Sequence, residues 1–147
     1  MSLRPANSVD AGLLAAMHSS AFEDPWGAAE IGALLDGPGG FALIAEEASG
    51  FILCRAVGGE AEILTLAVEP AARRRGLATA LVEAAAKIAG DKGAEALFLE
   101  VAEDNTAAIA LYQSARFTWA GRRPGYYRRA DEATDALVMR RWLNRDG

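Results

Sequence analysis

The chain has 147 residues with 20 acidic against 15 basic side chains, a formal net charge of -5, and 52% hydrophobic residues. That length fits one domain, residues 1–147, with a buried core, and the acidic balance excludes the broad basic face that a nucleic-acid partner needs. No apolar run reaches the roughly 18–20 residues that cross a bilayer, Met1 to Pro5 lacks an apolar signal core, and the single cysteine, Cys54, fits a reducing compartment, so a soluble cytoplasmic protein is expected.

Leu3 to Ala6 reads as a short first strand. Asn7 or Ser8 then caps a helix that ends near Phe22 and places Val9, Leu13, Ala16 and Met17 on one apolar face. Glu23-Asp24-Pro25-Trp26-Gly27 is a turn, and Ala28 to Leu35 is a second short helix stopped by Gly37-Pro38-Gly39-Gly40. Phe41 to Glu46 and Phe51 to Val57 form a hairpin joined around Ala48-Ser49-Gly50, and Gly58-Gly59 turns into a third strand, Ala61 to Val68.

From Leu77 to about Gly90, Leu77, Leu81, Ala85 and Ile88 make a buried helical stripe that Gly90 and Gly93 terminate. Ala96 to Val101 is an almost wholly apolar strand ending in a carboxylate, as at a sheet centre covered on both faces. Asn105 caps a helix from Thr106 to about Ser114, with Tyr112 near its end. Phe117 to about Arg122 and Thr134 to about Trp142 are the last strands, flanking a loop that contains Arg122 to Tyr127. This order predicts one mixed α/β sheet with helices on both faces.

Chemistry concentrates where the third strand gives way to the long helix, at Arg73-Arg74-Arg75-Gly76-Leu77-Ala78. Helix-start amides at the positive end of the dipole hold a phosphate or diphosphate, and a glycine there lets a ligand approach the backbone closely. The turn lacks G-x-x-x-x-G-K-S/T and G-x-G-x-x-G, so it is neither a nucleoside-triphosphate loop nor a dinucleotide fingerprint. A solvated arginine cluster at an ordinary helix start is the competing reading of the same residues.

The spacing Arg73-x-x-Gly76-x-Ala78 resembles the acetyl-coenzyme A signature of the GNAT superfamily of N-acetyltransferases. Phe22 with Pro25-Trp26, Leu66 to Pro70, Leu99-Glu100-Val101, Asn105 with Ala108 to Tyr112, Tyr126-Tyr127 and Ala136 to Met139 follow in the order of that superfamily. Together they are similar to its RimI-type ribosomal-protein alanine N-acetyltransferases, from about Phe22 to Met139. The resemblance implies a mostly antiparallel sheet in which Ile63 to Val68 splays from its parallel neighbour, Ala96 to Val101, with the pantetheine arm of acetyl-CoA in the gap. Backbone groups at Leu66, Ala67 and Val68 would meet that arm, and Arg73, Arg74, Arg75, Gly76, Leu77 and Ala78 the diphosphate. Asn105 would contact the arm, although helix capping alone accounts for an asparagine there.

On the same resemblance, Glu100 is the general base and Tyr112 the general acid for the departing thiolate. A solvent-facing strand-end glutamate and a core tyrosine are the bland alternatives. Phe22, Trp26, Tyr126 and Tyr127 would wall the acceptor, with Trp26 as a simple loop anchor the alternative, and Glu23, Asp24, Glu103 and Asp104 could attract a basic peptide. The implied reaction is direct acetyl transfer from acetyl-CoA to an N-terminal alanine of a small-subunit ribosomal protein. Another protein terminus, a lysine or a small amine is the alternative acceptor, and a non-catalytic acyl-CoA binding module the alternative class.

No metal is expected, because no cluster of ligands occurs at metal spacing. Cys54, inside a strand without a neighbouring histidine, reads as buried packing, and His18 as a surface or packing residue. Two positions depart from the family pattern: Arg116 stands where a glycine usually precedes the phenylalanine, and Ala71-Ala72 replaces bulkier residues.

Overall fold

The computed structural model describes residues 2–22, 24–73, 76–129 and 132–143. Seven strands, β1 (Leu3–Ala6), β2 (Gly40–Ala45), β3 (Gly50–Val57), β4 (Glu60–Val68), β5 (Ala96–Ala102), β6 (Thr118–Arg129) and β7 (Glu132–Trp142), form one sheet in the order β1-β2-β3-β4-β5-β7-β6. The helices are α1 (Ala11–Ala21), α2 (Ala28–Asp36), α3 (Leu77–Asp91) and α4 (Thr106–Ser114). Every neighbouring pair is antiparallel except β4 and β5.

Alternation along β2 and β3 sends successive apolar residues into two cores. Ala42, Ile44, Phe51 and Leu53 meet Leu14 and Met17 of α1 and Ile31 of α2 on one face. Leu43, Ala45, Ile52 and Cys54 meet Leu81, Val82 and Ala85 of α3 on the other. Tyr112 of α4 and Phe117 belong to that second core. Full burial of a side chain such as Leu81 or Val82 contributes about 1.5–3 kcal/mol, so these two faces set the placement of the helices.

One backbone detail opens the sheet. Leu53 of β3 pairs with Thr65 of β4, but the next residue, Cys54, pairs with Ile63, leaving Leu64 as an extra residue in β4. Such a bulge bends its strand and raises the local twist. It also inverts the alternation: Ala61 and Ile63 face the α3 core, whereas Ala67, two pairs beyond the bulge, faces α1 and α2. The parallel pairing of β4 with β5 covers only Glu60 to Glu62 against Ala96 to Phe98 and ends just before the bulge. From there the pairing stops and leaves a gap between the two strands.

Three sequence expectations are corrected. The buried face of α1 is Ala11, Leu14, Met17 and His18, with Val9 91% exposed and Leu13 also exposed. Asn7 caps a 3-10 turn, Ser8–Asp10, instead of the α-helix, so the helix starts later and its phase shifts. The hairpin between β2 and β3 turns through Glu46–Ala48, with Glu47 and Ala48 at positive φ. Residues Arg122 to Tyr127 belong to β6 and not to a loop: three residues, Pro124 to Tyr126, bulge opposite Asp135 between the pairs Arg123↔Ala136 and Tyr127↔Thr134. The Asp135 carboxylate accepts from the Gly125 N–H at 2.8 Å and from Arg122 at 3.0 Å, which holds the bulge in place.

Candidate active site

The splayed pair β4 and β5 runs parallel, so the carboxyl ends of both strands reach the same edge, where α3 and α4 begin. Open parallel edges of this kind are where ligands bind. β4 ends at Val68, passes through a 3-10 turn, Pro70–Ala72, and reaches Gly76, the N-cap of α3, in the left-handed conformation at φ 75°. A Cβ at Gly76 would meet no protein atom within 4 Å, so the backbone angle, and not crowding by the protein, demands glycine here. Among the described residues no side chain caps the start of α3, whose first amides lie at the positive end of the helix dipole.

Of the residues expected to hold the cofactor, Ala67 and Leu77 are buried, Leu66, Val68 and Ala78 half-buried, and Arg73 exposed. Arg73 folds back so that Nε donates to the Val68 carbonyl at 3.1 Å, fastening the turn to the end of β4. Arg74 and Arg75 lie outside the described residues. Asn105 caps α4, its Oδ1 accepting from the Ala108 N–H at 3.2 Å, which leaves the amide NH2 as the group able to serve a ligand.

Glu100 lies near the end of β5. Leu97, Leu99 and Val101 belong to the α3 core, so alternation puts Glu100 on the opposite face. Its Oε1 accepts from Arg123 Nη1 at 2.7 Å, while Oε2 is buried without a hydrogen-bond partner among the described residues. The guanidinium of Arg123 also lies 4.1 Å from the centre of the Tyr126 ring, and Tyr126 meets Tyr127 edge-on at 5.0 Å. Arg123 thus ties the candidate base to the candidate acceptor wall, and the carboxylate beside it raises the pKa of its guanidinium.

Tyr112 occupies the other face of the sheet, 8% exposed, edge-on to Phe117 at 5.7 Å. Burial, aided by Cys54 and Tyr127, raises the pKa of its phenol, so the group keeps its proton well into the alkaline range. Glu100 and Tyr112 therefore lie on opposite faces of the sheet. Cys54 is fully buried, and burial pushes its thiol up too, away from any nucleophilic role.

Phe22 and Trp26 stand together at the end of α1, and His18 brings them together. Its ring stacks on Phe22 at 4.2 Å and on Trp26 at 5.1 Å. Of the acids expected to attract a basic peptide, Glu103 is paired with Arg122, Asp24 is exposed, and Glu23 lies outside the described residues. Sequence reasoning did not single out Arg123, and of its two readings of His18, surface or packing, burial bears out packing. Among the described residues no group of three or more His, Cys, Asp or Glu could hold a metal ion, and no helix is long and apolar enough to cross a membrane.

A sheet split at one parallel pair, with a glycine-started helix after the first strand and a carboxylate on the second, defines an acyl-transfer fold. The profile of the acetyltransferase (GNAT) family matches residues 12–117, and the chain belongs to that family. The chain is 39% identical over 89 residues to the ribosomal protein bS18-alanine N-acetyltransferase of Escherichia coli K12, a match that spans 60% of each chain. A counterpart of the same name from Haemophilus ducreyi is 34% identical over 94 residues, 63% of this chain and 65% of the relative. The crystal structure of the ribosomal-protein-S18-alanine N-acetyltransferase from Escherichia coli superposes with a TM-score of 0.88 at 29% identity, covering 99% of this chain and 96% of that one. Arabidopsis thaliana NAA60 in complex with acetyl-CoA shares the fold, with a TM-score of 0.83 at 23% identity over 97% of this chain and 98% of that one.

Proposed function

We propose that the protein transfers the acetyl group of acetyl-CoA to the N-terminal amine of another protein, with the N-terminal alanine of a small-subunit ribosomal protein as acceptor, in the cytoplasm. One observation carries the reading: the Glu100 carboxylate is oriented by Arg123 through one oxygen and keeps the other buried and without a donor among the described residues. An unsatisfied buried acceptor costs about 1–3 kcal/mol, and an amine N–H offsets that cost. The similarity to the ribosomal-protein alanine N-acetyltransferases supports the acceptor.

The chain's groups then act as follows. The first amides of α3 and the turn at Gly76 hold the diphosphate, aided by Arg73, Arg74 and Arg75. The edges of β4 at Leu66, Ala67 and Val68 accompany the pantetheine arm into the gap, with Leu77 and Ala78 lining the helix start and Asn105 on the far side. Glu100 takes one proton from the acceptor, directly or through a water. An α-amine has a pKa of about 7.7–8.0, so the demand on the carboxylate is small near neutral pH. The amine nitrogen bonds to the acyl carbon, the carbon–sulfur bond breaks, and the Tyr112 phenol donates its proton to the departing thiolate. Phe22, Trp26, Tyr126 and Tyr127 enclose the acceptor.

Mass spectrometry after incubation with acetyl-CoA and small-subunit ribosomal proteins, beside lysine peptides and small amines, tests the acceptor. Acetylation confined to the alanine terminus is expected, and modification of lysines or small amines alone refutes it. Glu100→Gln should lower kcat by about 10²-fold or more with KM for acetyl-CoA unchanged, and Tyr112→Phe should lower kcat likewise. Wild-type turnover in both variants overturns the mechanism.

A further inference from the structure

The histidine of α1 has a place that the reaction above does not use. His18 is 2% exposed and engaged on every side. Its Nδ1 accepts the Trp26 backbone N–H at 3.0 Å, and its Nε2 lies 3.0 Å from Thr65 Oγ1 on β4. A backbone N–H can only donate, so Nδ1 carries no hydrogen and the ring proton is on Nε2, given to Thr65. The faces of the same ring carry Phe22 and Trp26 with interplanar angles of 19° and 18°. Thr65 follows the extra residue of the β4 bulge. One imidazole therefore joins the segment of Phe22 and Trp26 to the strand that borders the gap.

We propose that His18 is a positioning residue for the acceptor: it fixes the wall formed by Phe22 and Trp26 against β4, and its neutral form alone does so. This rests on the reading of Phe22 and Trp26 as the acceptor wall. Protonation places a hydrogen on Nδ1, which then faces the Trp26 N–H donor to donor, and the contact breaks. Burial opposes that protonation and holds the pKa below the ordinary histidine value, with the Glu30 carboxylate of α2 acting weakly the other way. Thr65 of β4 and Phe51 of β3 bring no charge to the ring, and Asp24 of the connecting segment is exposed. Affinity for the acceptor should therefore hold from neutral pH upward and fall as pH drops through the lowered pKa of His18.

The test measures KM for an alanine-initiated peptide and for acetyl-CoA, with kcat, in His18→Phe, His18→Asn and Trp26→Ala. Phenylalanine keeps the stacking and loses both hydrogen bonds; asparagine can still accept from the Trp26 N–H and cannot be protonated. His18→Phe should raise the peptide KM about five- to tenfold, as expected for losing one hydrogen bond that orders the wall, and Trp26→Ala, which keeps its backbone N–H, should raise it comparably by removing the indole from the wall. Both should leave KM for acetyl-CoA near wild type. His18→Asn should recover most of the peptide affinity and abolish its loss at acid pH. The chain has one histidine, so its ring nitrogens can be titrated by NMR in the unmodified protein, and that midpoint should coincide with the acid rise in peptide KM even should the phenylalanine variant not fold. An unchanged peptide KM in His18→Phe beside a raised one in Trp26→Ala overturns the proposal alone. An unchanged KM in Trp26→Ala removes the wall reading together with it, and noncoincident midpoints refute the neutral-ring requirement.

Discussion

Replacing Gly76 with alanine puts the diphosphate turn to a quantitative test. The residue is held at φ 75°, and an added Cβ meets no protein atom within 4 Å, so the cost is backbone strain alone. Left-handed backbone costs a non-glycine residue about 1–2 kcal/mol, and the stiffer unfolded chain returns about 0.4–1 kcal/mol. The net loss is about 1 kcal/mol, a fall in Tm of about 2–4 °C for a chain of this size. Gly58→Ala is the matched control: φ is 64°, its Cβ also meets nothing, and it lies in the hairpin between β3 and β4, at the end where the strands remain paired. Thermal melts should show similar losses in both variants. Only Gly76→Ala should raise KM for acetyl-CoA, by about tenfold, because the methyl enters the ligand's space or the turn relaxes and misdirects an amide whose bond to a charged group contributes about 1.5–3 kcal/mol. Equal melting losses with an unchanged KM for acetyl-CoA in Gly76→Ala would refute the placement of the diphosphate at this turn.

Two further outcomes concern stability. Arg141, 11% exposed, grips Glu83 of α3 through two hydrogen bonds of 2.7 and 3.0 Å, and Arg141→Met should cost about 1 kcal/mol once solvent screening of the half-exposed carboxylate is allowed for. The Arg141 hydrogen bond lowers the Glu83 pKa, so this stability is fully present above the ordinary glutamate range and is lost as pH falls through the lowered value. Urea midpoints of wild type and variant should accordingly converge in acid, and a gap that persists there would contradict the pairing. Arg116 keeps the helix-ending left-handed turn at φ 73°, with the Phe117 N–H donating to the Tyr112 carbonyl at 2.9 Å. Arg116→Gly should relieve that strain, lose a surface pair to Glu83 at 3.5 Å, and raise Tm by about 1–2 °C; a drop of several degrees would show that the arginine contributes more than the surface pair.

Periodicity made α3 and β5 legible, because a helix stripe and an apolar run need only local neighbours. Cys54 could be placed in the core for the same reason. A glycine at the start of α3 was legible at Gly76, although its positive φ required coordinates. The bulge at Leu64 left no trace, since Ile63-Leu64-Thr65-Leu66 is an unbroken strand-forming run whose extra residue exists only relative to β3. Pro124-Gly125 reads as a loop because both residues punctuate strands, yet Asp135 supplies the hydrogen bond that keeps a bulged β6 paired. His18 was set aside as packing or surface because its partner Thr65 lies 47 positions away, and a ring's value depends on which donors its two nitrogens face. The role of Arg123 was hidden similarly, its guanidinium meeting Glu100 from 23 positions on.

The opening in the sheet is a matter of residue count. Leu64 contributes length to β4 more than chemistry, so substitutions along the strand can reshape the walls of the gap but leave the parting of the strands in place. Removing that one position would bring Ile63 and Thr65 into ordinary succession and restore the regular in-and-out order. It would leave Thr65 opposite Leu53 on the face of α1 and let β4 run on beside β5. A chain one residue shorter would thus keep nearly all of its core and lose the cleft, which is why the length of this strand is expected to tolerate less change than its sequence.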